Sequence, residues 1–312
     1  MTVKRLLEAN ASDFTTMTAA ELKESIRLSE GRTVVAEVMV LASPLLDKVS
    51  NPELAAGMGA DMLLLNFYDV EHPRVMGFPD RDAPASDAPV FGRISTGWGV
   101  TLAQVKDWTG RPVGINLEPI ERPAAVSASG RLALPGNASL AVEQGADFIV
   151  LTGNPSTGVT IAGLERALKA VRDAVGEKAL VFAEKIHMAG ALGDLMHAGD
   201  VDRFADSGAD GLVLPVPGTV PGMTVEIVRL LVEAAHQRGL LVMNGIGTSQ
   251  EGASIGTIEQ LALMSKMTGA DMHHIGDAGT IGIAVPENIT AWSMALRGRR
   301  HTWHRMTASL RR

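Results

Sequence analysis

Short apolar runs recur along the chain, separated by stretches whose apolar positions repeat at helical spacing. TVVAEVMV (33–40), MLLLNF (62–67), PVGINLEPI (112–120), DFIVLTGN (147–154), ALVFAEKIH (179–187), GLVLPVP (211–217), LLVMNGIG (240–247) and DMHHIGD (271–277) read as eight strands. Amphipathic segments such as TIAGLERALKAVRDAVGEK and MTVEIVRLLVEAAHQRG lie between them. Continuously apolar strands that alternate with helices indicate a parallel sheet covered by helices. Eight such units predict an α/β fold, a (β/α)8 barrel over residues 32–290. A helical segment (1–31, with a Thr-capped helix at 18–30) precedes it, and a basic C-terminal helix (291–312) follows. An open doubly wound sheet is the alternative, but the Gly-x-Gly-x-x-Gly turn expected after its first strand is missing.

Punctuation supports the barrel. Gly-Ala-Asp occurs at Gly59-Ala60-Asp61, Gly145-Ala146-Asp147, Gly208-Ala209-Asp210 and Gly269-Ala270-Asp271, each copy followed at once by a strand. Gly accepts the left-handed conformation that ends a helix, so the tripeptide marks the turn from helix to strand. The Asp positions fall 86, 63 and 61 residues apart. Two strand–helix units take about 60 residues, so the copies open alternate strands and the first interval carries inserted chain.

The inserted chain is polar. Residues 68–97 (YDVEHPRVMGFPDRDAPASDAPVFGRISTG) and ERPAAVSASGRLALPGN after the third strand leave the carboxyl ends of strands. Barrels of this type carry their active sites on that face. Loops this long in a compact domain are functional or disordered; the first is expected to be a lid or subunit-contact loop.

Composition narrows the classes. The net charge of −7 disfavours nucleic acid as a partner. Without cysteine, disulfides, thiolate metal sites and Cys nucleophiles are excluded. No apolar stretch is long enough for a signal peptide or a membrane span, so a cytoplasmic location without a membrane partner is expected. Residues 291–312 hold Arg297, Arg299, Arg300, Arg305, Arg311 and Arg312 with no acid. These predict a helix whose basic face meets water or an acidic neighbour, with a subunit contact or anion-binding arm as the alternative. That helix and the methionine content suggest a homo-oligomer.

Candidate chemistry comes from aligning the strands on the basic residue before each one (Arg32, Arg111, Lys178, Arg238). Glu37, Asn116, Ala183 and Asn244 then lie level, with Glu118 and Lys185 two residues on. One parity means one face, and charged groups avoid an apolar helix layer. Glu37, Glu118, Lys185 and His187 are therefore the catalytic candidates. Asn66, Asn116, Asn154, Asn244 and Asp277 are the substrate-binding candidates. Glu184, of opposite parity, falls outside this set as a cap for a neighbouring helix. Lys185 could stabilise an oxyanion, act as a base or form a Schiff base. Glu37 and Glu118 could instead ligate a divalent ion, magnesium or manganese.

Two glycine-rich stretches, NGIGTSQEGASIG (244–256) and GDAGTIGI (276–283), follow the last two strands. Phosphate sites in barrels commonly use these loops and a helix N-terminus. Gly245, Gly247, Thr248, Gly276, Gly279 and Thr280 are the expected phosphate ligands. Asp271-x-His273-x-x-Gly276 matches a cobalamin-binding pattern, yet too little chain follows it for that domain. The His273-His274 pair suggests a metal only weakly.

These strands and loops make the chain similar to the phosphate-binding (β/α)8 barrels. The runs VAEVMVLASPLLDKVSNPELAAGMGAD, MNGIGTSQEG and HHIGDAG also resemble a bacterial barrel family loosely labelled phosphoenolpyruvate phosphonomutase-related. The phosphonomutase Lys-Cys loop is impossible here, since the chain has no cysteine. The resemblance implies a lyase or isomerase that acts next to a carbonyl on a small phosphorylated or anionic metabolite. A non-catalytic anion-binding barrel and a metal-dependent hydrolase are the alternatives.

Overall fold

A computed structural model describes residues 3–81, 95–120, 128–153, 157–186 and 195–312. Eight parallel strands form a closed barrel in sequence order: β1 (Thr33–Met39), β2 (Met62–Asn66), β3 (Val113–Leu117), β4 (Phe148–Leu151), β5 (Leu180–Glu184), β6 (Gly211–Pro215), β7 (Leu241–Ile246) and β8 (Met272–Ile275). The helices that cover it are α3 (Asn51–Gly57), α4 (Leu102–Thr109), α5 (Pro135–Glu143), α6 (Ile161–Val175), α7 (Ala198–Asp206), α8 (Val225–Gln237), α9 (Ile255–Met267) and α10 (Pro286–Met306). Short helices α1 (Ala11–Thr16) and α2 (Ala19–Arg27) precede the barrel. Caps follow the sequence: Thr18, Ser50, Thr160, Thr224 and Ser254 each accept an amide hydrogen from the first turn they start.

Strand parity sorts the core into two layers. Val35, Met62, Leu64, Phe148, Val150, Leu180, Phe182, Val213, Leu241, Met243 and Met272 fill the barrel interior. Their neighbours in sequence, such as Val34, Leu63, Ile149, Val181 and Leu212, pack outward against the helices. Phe148 and Phe182 meet edge to face inside the barrel, ring centroids 6.3 Å apart. Gly114 and Gly211 make room for those rings, because a Cβ there would stand 2.5 and 2.4 Å from them. At the amino ends of the strands, Leu6, Phe14, Leu22 and Ile26 join the interior cluster and stopper the barrel.

The four Gly-Ala-Asp copies do one structural job. Gly59, Gly145, Gly208 and Gly269 all have positive φ. Each Asp then grips the preceding strand twice, its amide donating to a valine carbonyl and its carboxylate accepting the same valine's amide. The pairs are Asp61–Val34, Asp147–Val113, Asp210–Val181 and Asp271–Val242. Each carboxylate also meets a cation: Arg297 and Arg305, Lys106, Lys23 and Arg172, or His236.

The C-terminal arginines are part of this system. Arg297 and Arg305 of α10, which breaks at Gly298, are buried on Asp61. Arg305 also donates to Leu6 and Ala9 carbonyls, tying the N-terminal segment to the barrel. Two of the six arginines thus meet an acid of their own chain, while Arg299, Arg300, Arg311 and Arg312 are exposed.

Candidate active site

A cavity of about 300 Å³ opens at the carboxyl ends of the strands. Its lining includes Glu37 and Met39 from β1, Asn66 at the end of β2 and Phe67 after it, Asn116, Thr152, Glu184 at the end of β5 and Ile186 beyond it. Gly247, Ser249 and Glu251 after β7, and Gly276, Asp277, Gly279 and Thr280 after β8, complete it. A larger hollow of about 420 Å³ lies at the opposite end, beside α1 and α4. Its Lys106 is tied to Asp147, and its Arg111 donates to three backbone carbonyls, so its buried cations are already spent.

Glu37 is the hub of the mouth. Its Oε1 accepts a 2.7 Å hydrogen bond from Asn116 Nδ2, and its Oε2 lies 3.3 Å from His274 Nε2. Asp277 accepts from Asn66 Nδ2 at 2.9 Å and from the Gly279 amide at 2.8 Å. Glu184 is buried in the cavity wall, which it shares with Thr152. Burial and the charge of Glu37 push Glu184 up to about 7, and the same two causes push Asp277 up to about 7. Burial alone would lower the His274 value, but the adjacent Glu37 carboxylate and the charges of Glu184 and Asp277 win, and it is raised. Burial also raises Glu251, against hydrogen bonds from its own amide and that of Ser249.

Several expected ligands stand elsewhere. Register pairs Glu37 with Leu64, and Asn116 with Val150; Val150 pairs with Phe182, not Ala183. In β7 the inward residue is Gly245, beside His274, while Asn244 pairs with the outward His273. The alignment on preceding basic residues is thus one residue out in β5 and β7, and such a slip exchanges the two faces. Lys185 consequently leaves the mouth, its Nζ donating to the Val159 carbonyl at 2.8 Å. Asn244 Nδ2 reaches Ser265 and Thr268 in the helix layer. Glu184, assigned to a helix cap by the same alignment, enters the mouth instead. Glu118 binds Arg131 at 3.1 Å, and Arg131 covers the Phe67 ring at the rim.

The two histidines split between faces. His273 bonds Ser265 and the Gly31 carbonyl, and burial pushes it down to about 4, so it is a neutral packing group. Only His274 serves the mouth. Candidates His187 and Asn154 lie outside the described residues, as does the middle of the proposed lid loop.

Of the expected phosphate ligands, Gly247, Gly276, Gly279 and Thr280 line the cavity. Gly245 lies deeper, against His274, and Thr248 turns to the Thr219 carbonyl and Gln250. In the second of these loops a carboxylate of this chain already holds an amide, Asp277 accepting from Gly279 at 2.8 Å. Nor do Glu37 and Glu118 converge on a metal position. Among the described residues, no three acidic or histidine groups of the mouth bring ligand atoms within 4.8 Å of one another.

Glu251 carried no sequence signal, being one acid in a polar loop. Its backbone surroundings are strained: Ser249 and Ala278 adopt positive φ, as does Phe67 across the cavity. Such conformations concentrate at functional sites.

Comparisons agree on the frame. Residues 7–312 match the family model described as Domain of unknown function (DUF7916). No curated protein sequence matches the chain. Among solved structures it is similar to a putative fructose-1,6-biphosphate aldolase from Coccidioides immitis, at 12% identity over 94% of this chain and 96% of that one, TM-score 0.50. It is also similar to a Schiff base forming fructose-1,6-bisphosphate aldolase, at 14% identity over 88% and 99%, TM-score 0.50. A 2,3-dimethylmalate lyase of the PEP mutase/isocitrate lyase superfamily aligns at 15% identity over 85% and 82%, TM-score 0.47. At these identities the likeness shows the (β/α)8 fold. Among the described residues no helix is long and apolar enough to cross a membrane.

Proposed function

We propose that the chain, which belongs to the family described as Domain of unknown function (DUF7916), is a lyase or isomerase working by proton transfer next to the carbonyl of a small hydroxylated metabolite. The single supporting observation is the pair Glu184 and Asp277, which line the same cavity as Glu37 and are both held near 7 by burial and its charge. Proton-transfer groups work best when poised near the working pH. Asp277, which accepts two N–H donors, is the base; the buried Glu184 is the acid. Asp277 removes one proton, from a hydroxyl for carbon–carbon cleavage or from the α-carbon for isomerisation. The freed electron pair moves toward the carbonyl oxygen, which takes the proton of Glu184. Glu37, fixed by Asn116 and His274, tunes both acids.

Phosphate on the substrate is not part of this reading, since the four charged side chains that line the cavity among the described residues are carboxylates. No metal step is included in this reading.

The test is proton exchange in deuterium oxide, followed by NMR over a panel of hydroxy-aldehydes and hydroxy-ketones. Enzyme-dependent deuterium incorporation or cleavage is expected for at least one compound, falling about 10²-fold or more in Glu184→Gln and Asp277→Asn. Turnover that is unchanged in both variants defeats the assignment.

A further inference from the structure

We infer that the mouth selects a substrate bearing an ammonium group, an amino-substituted hydroxy-carbonyl compound, over neutral or phosphorylated relatives. This rests on the reading of the mouth as the reaction site and adds the class of substrate. Every charged side chain lining the cavity among the described residues is a carboxylate: Glu37, Glu184, Glu251 and Asp277. Among the described residues His274, 3.3 Å from Glu37, is the one group that can offset these four acids, so their negative charge is in excess.

Hydrogen bonding points the same way. Asn116 spends an amide hydrogen on Glu37, and its carbonyl oxygen Oδ1 is buried without a donor. Glu251 Oε2 is likewise buried and unpartnered, on a residue only 4% exposed. A buried acceptor left unpaired costs about 1–3 kcal/mol, so a ligand that brings donors is favoured. An ammonium supplies three donors and the missing charge together. A phosphate would bring acceptors and more negative charge.

The two acids near 7 fit this picture, since negative groups lacking a counter-charge retain protons. An entering ammonium favours the ionised form of Asp277, the base, and a proton is released on binding.

The experiment is calorimetry of the full chain at pH 6.5 with three matched probes: glucosamine, glucose and glucose 6-phosphate. Glucosamine is expected to bind at least tenfold tighter than glucose, with glucose 6-phosphate weakest. Titrations in two buffers of different ionisation heat should show proton release with glucosamine. In Glu251→Gln, with fold confirmed by circular dichroism, the preference for glucosamine should shrink tenfold or more. Failure of glucosamine to bind, equal or tighter binding of either other probe, or absence of proton release overturns the inference. Glucosamine that binds with the expected preference but shows no deuterium exchange would sink the acid–base reading and leave the ligand class standing. Turnover confined to compounds without an amine would do the reverse.

Discussion

Asp61 and Val34 hold each other twice, through the Asp61 amide to the Val34 carbonyl and the Val34 amide to Asp61 Oδ2, both at 2.8 Å. Asp61 also balances two buried guanidinium groups, Arg297 and Arg305. Asp61→Asn leaves both without their carboxylate. A loss of about 3–5 kcal/mol is expected, as for other broken buried pairs. Asp271→Asn loses only the partly exposed His236 partner and should cost about 1 kcal/mol or less. Urea unfolding of the two variants checks the contrast; equal losses would contradict it.

Stability should fall with rising pH through the range set by the mouth. Glu184 and Asp277 sit at about 7 in the folded chain, against ordinary values of 4.5 and 3.8. Between those limits the folded state holds more protons than the unfolded one, so stability decreases as pH rises and levels off above 7. Glu184→Gln removes an acid that ionises at a penalty. It should therefore raise stability at pH 8 by on the order of 1–3 kcal/mol and flatten the profile. Thermal melts from pH 5 to 8 read this out.

Activity, where found, should be bell-shaped in kcat/KM and centred near 7, because Asp277 must be ionised while Glu184 is protonated. The two limbs belong to the coupled pair. Since the charge of Glu37 raises both acids, Glu37→Gln should move both limbs to lower pH. Limbs that stay in place would remove Glu37 as the tuning group.

Lys185 offers a negative control. It binds the Val159 carbonyl outside the mouth, so Lys185→Met should retain turnover within about tenfold, against the loss of about 10²-fold in Glu184→Gln. The reverse order would restore the Schiff-base or oxyanion role.

Gly211→Ala tests the interior. The added Cβ would lie 2.4 Å from the Phe182 ring, an overpacking worth about 1–3 kcal/mol. Phe182→Leu in the same chain should recover part of it.

The frame was legible because it is written redundantly. Four Gly-Ala-Asp turns and eight apolar runs each point to the same ring, and their spacing survives small errors in strand ends. The mouth was less legible because a single offset decides it. Basic residues before the strands are not level with one another, so aligning on them put Lys185 inside and Glu184 outside. The large side chains were the better guide: Phe182 and Ile186 belong to the interior cluster, and Glu184 lies between them on the same face. Glu251 is different, since its burial follows from the fold of a whole loop around Ser249 at positive φ, which no local pattern announces.

Leu6, Phe14, Leu22 and Ile26 close the lower opening of the barrel, which makes the cavity a blind well among the described residues. A molecule transformed there leaves by the route it entered. Incoming and outgoing species then contend for one passage, so product should inhibit competitively, and the loops around the rim govern how fast each cycle can end.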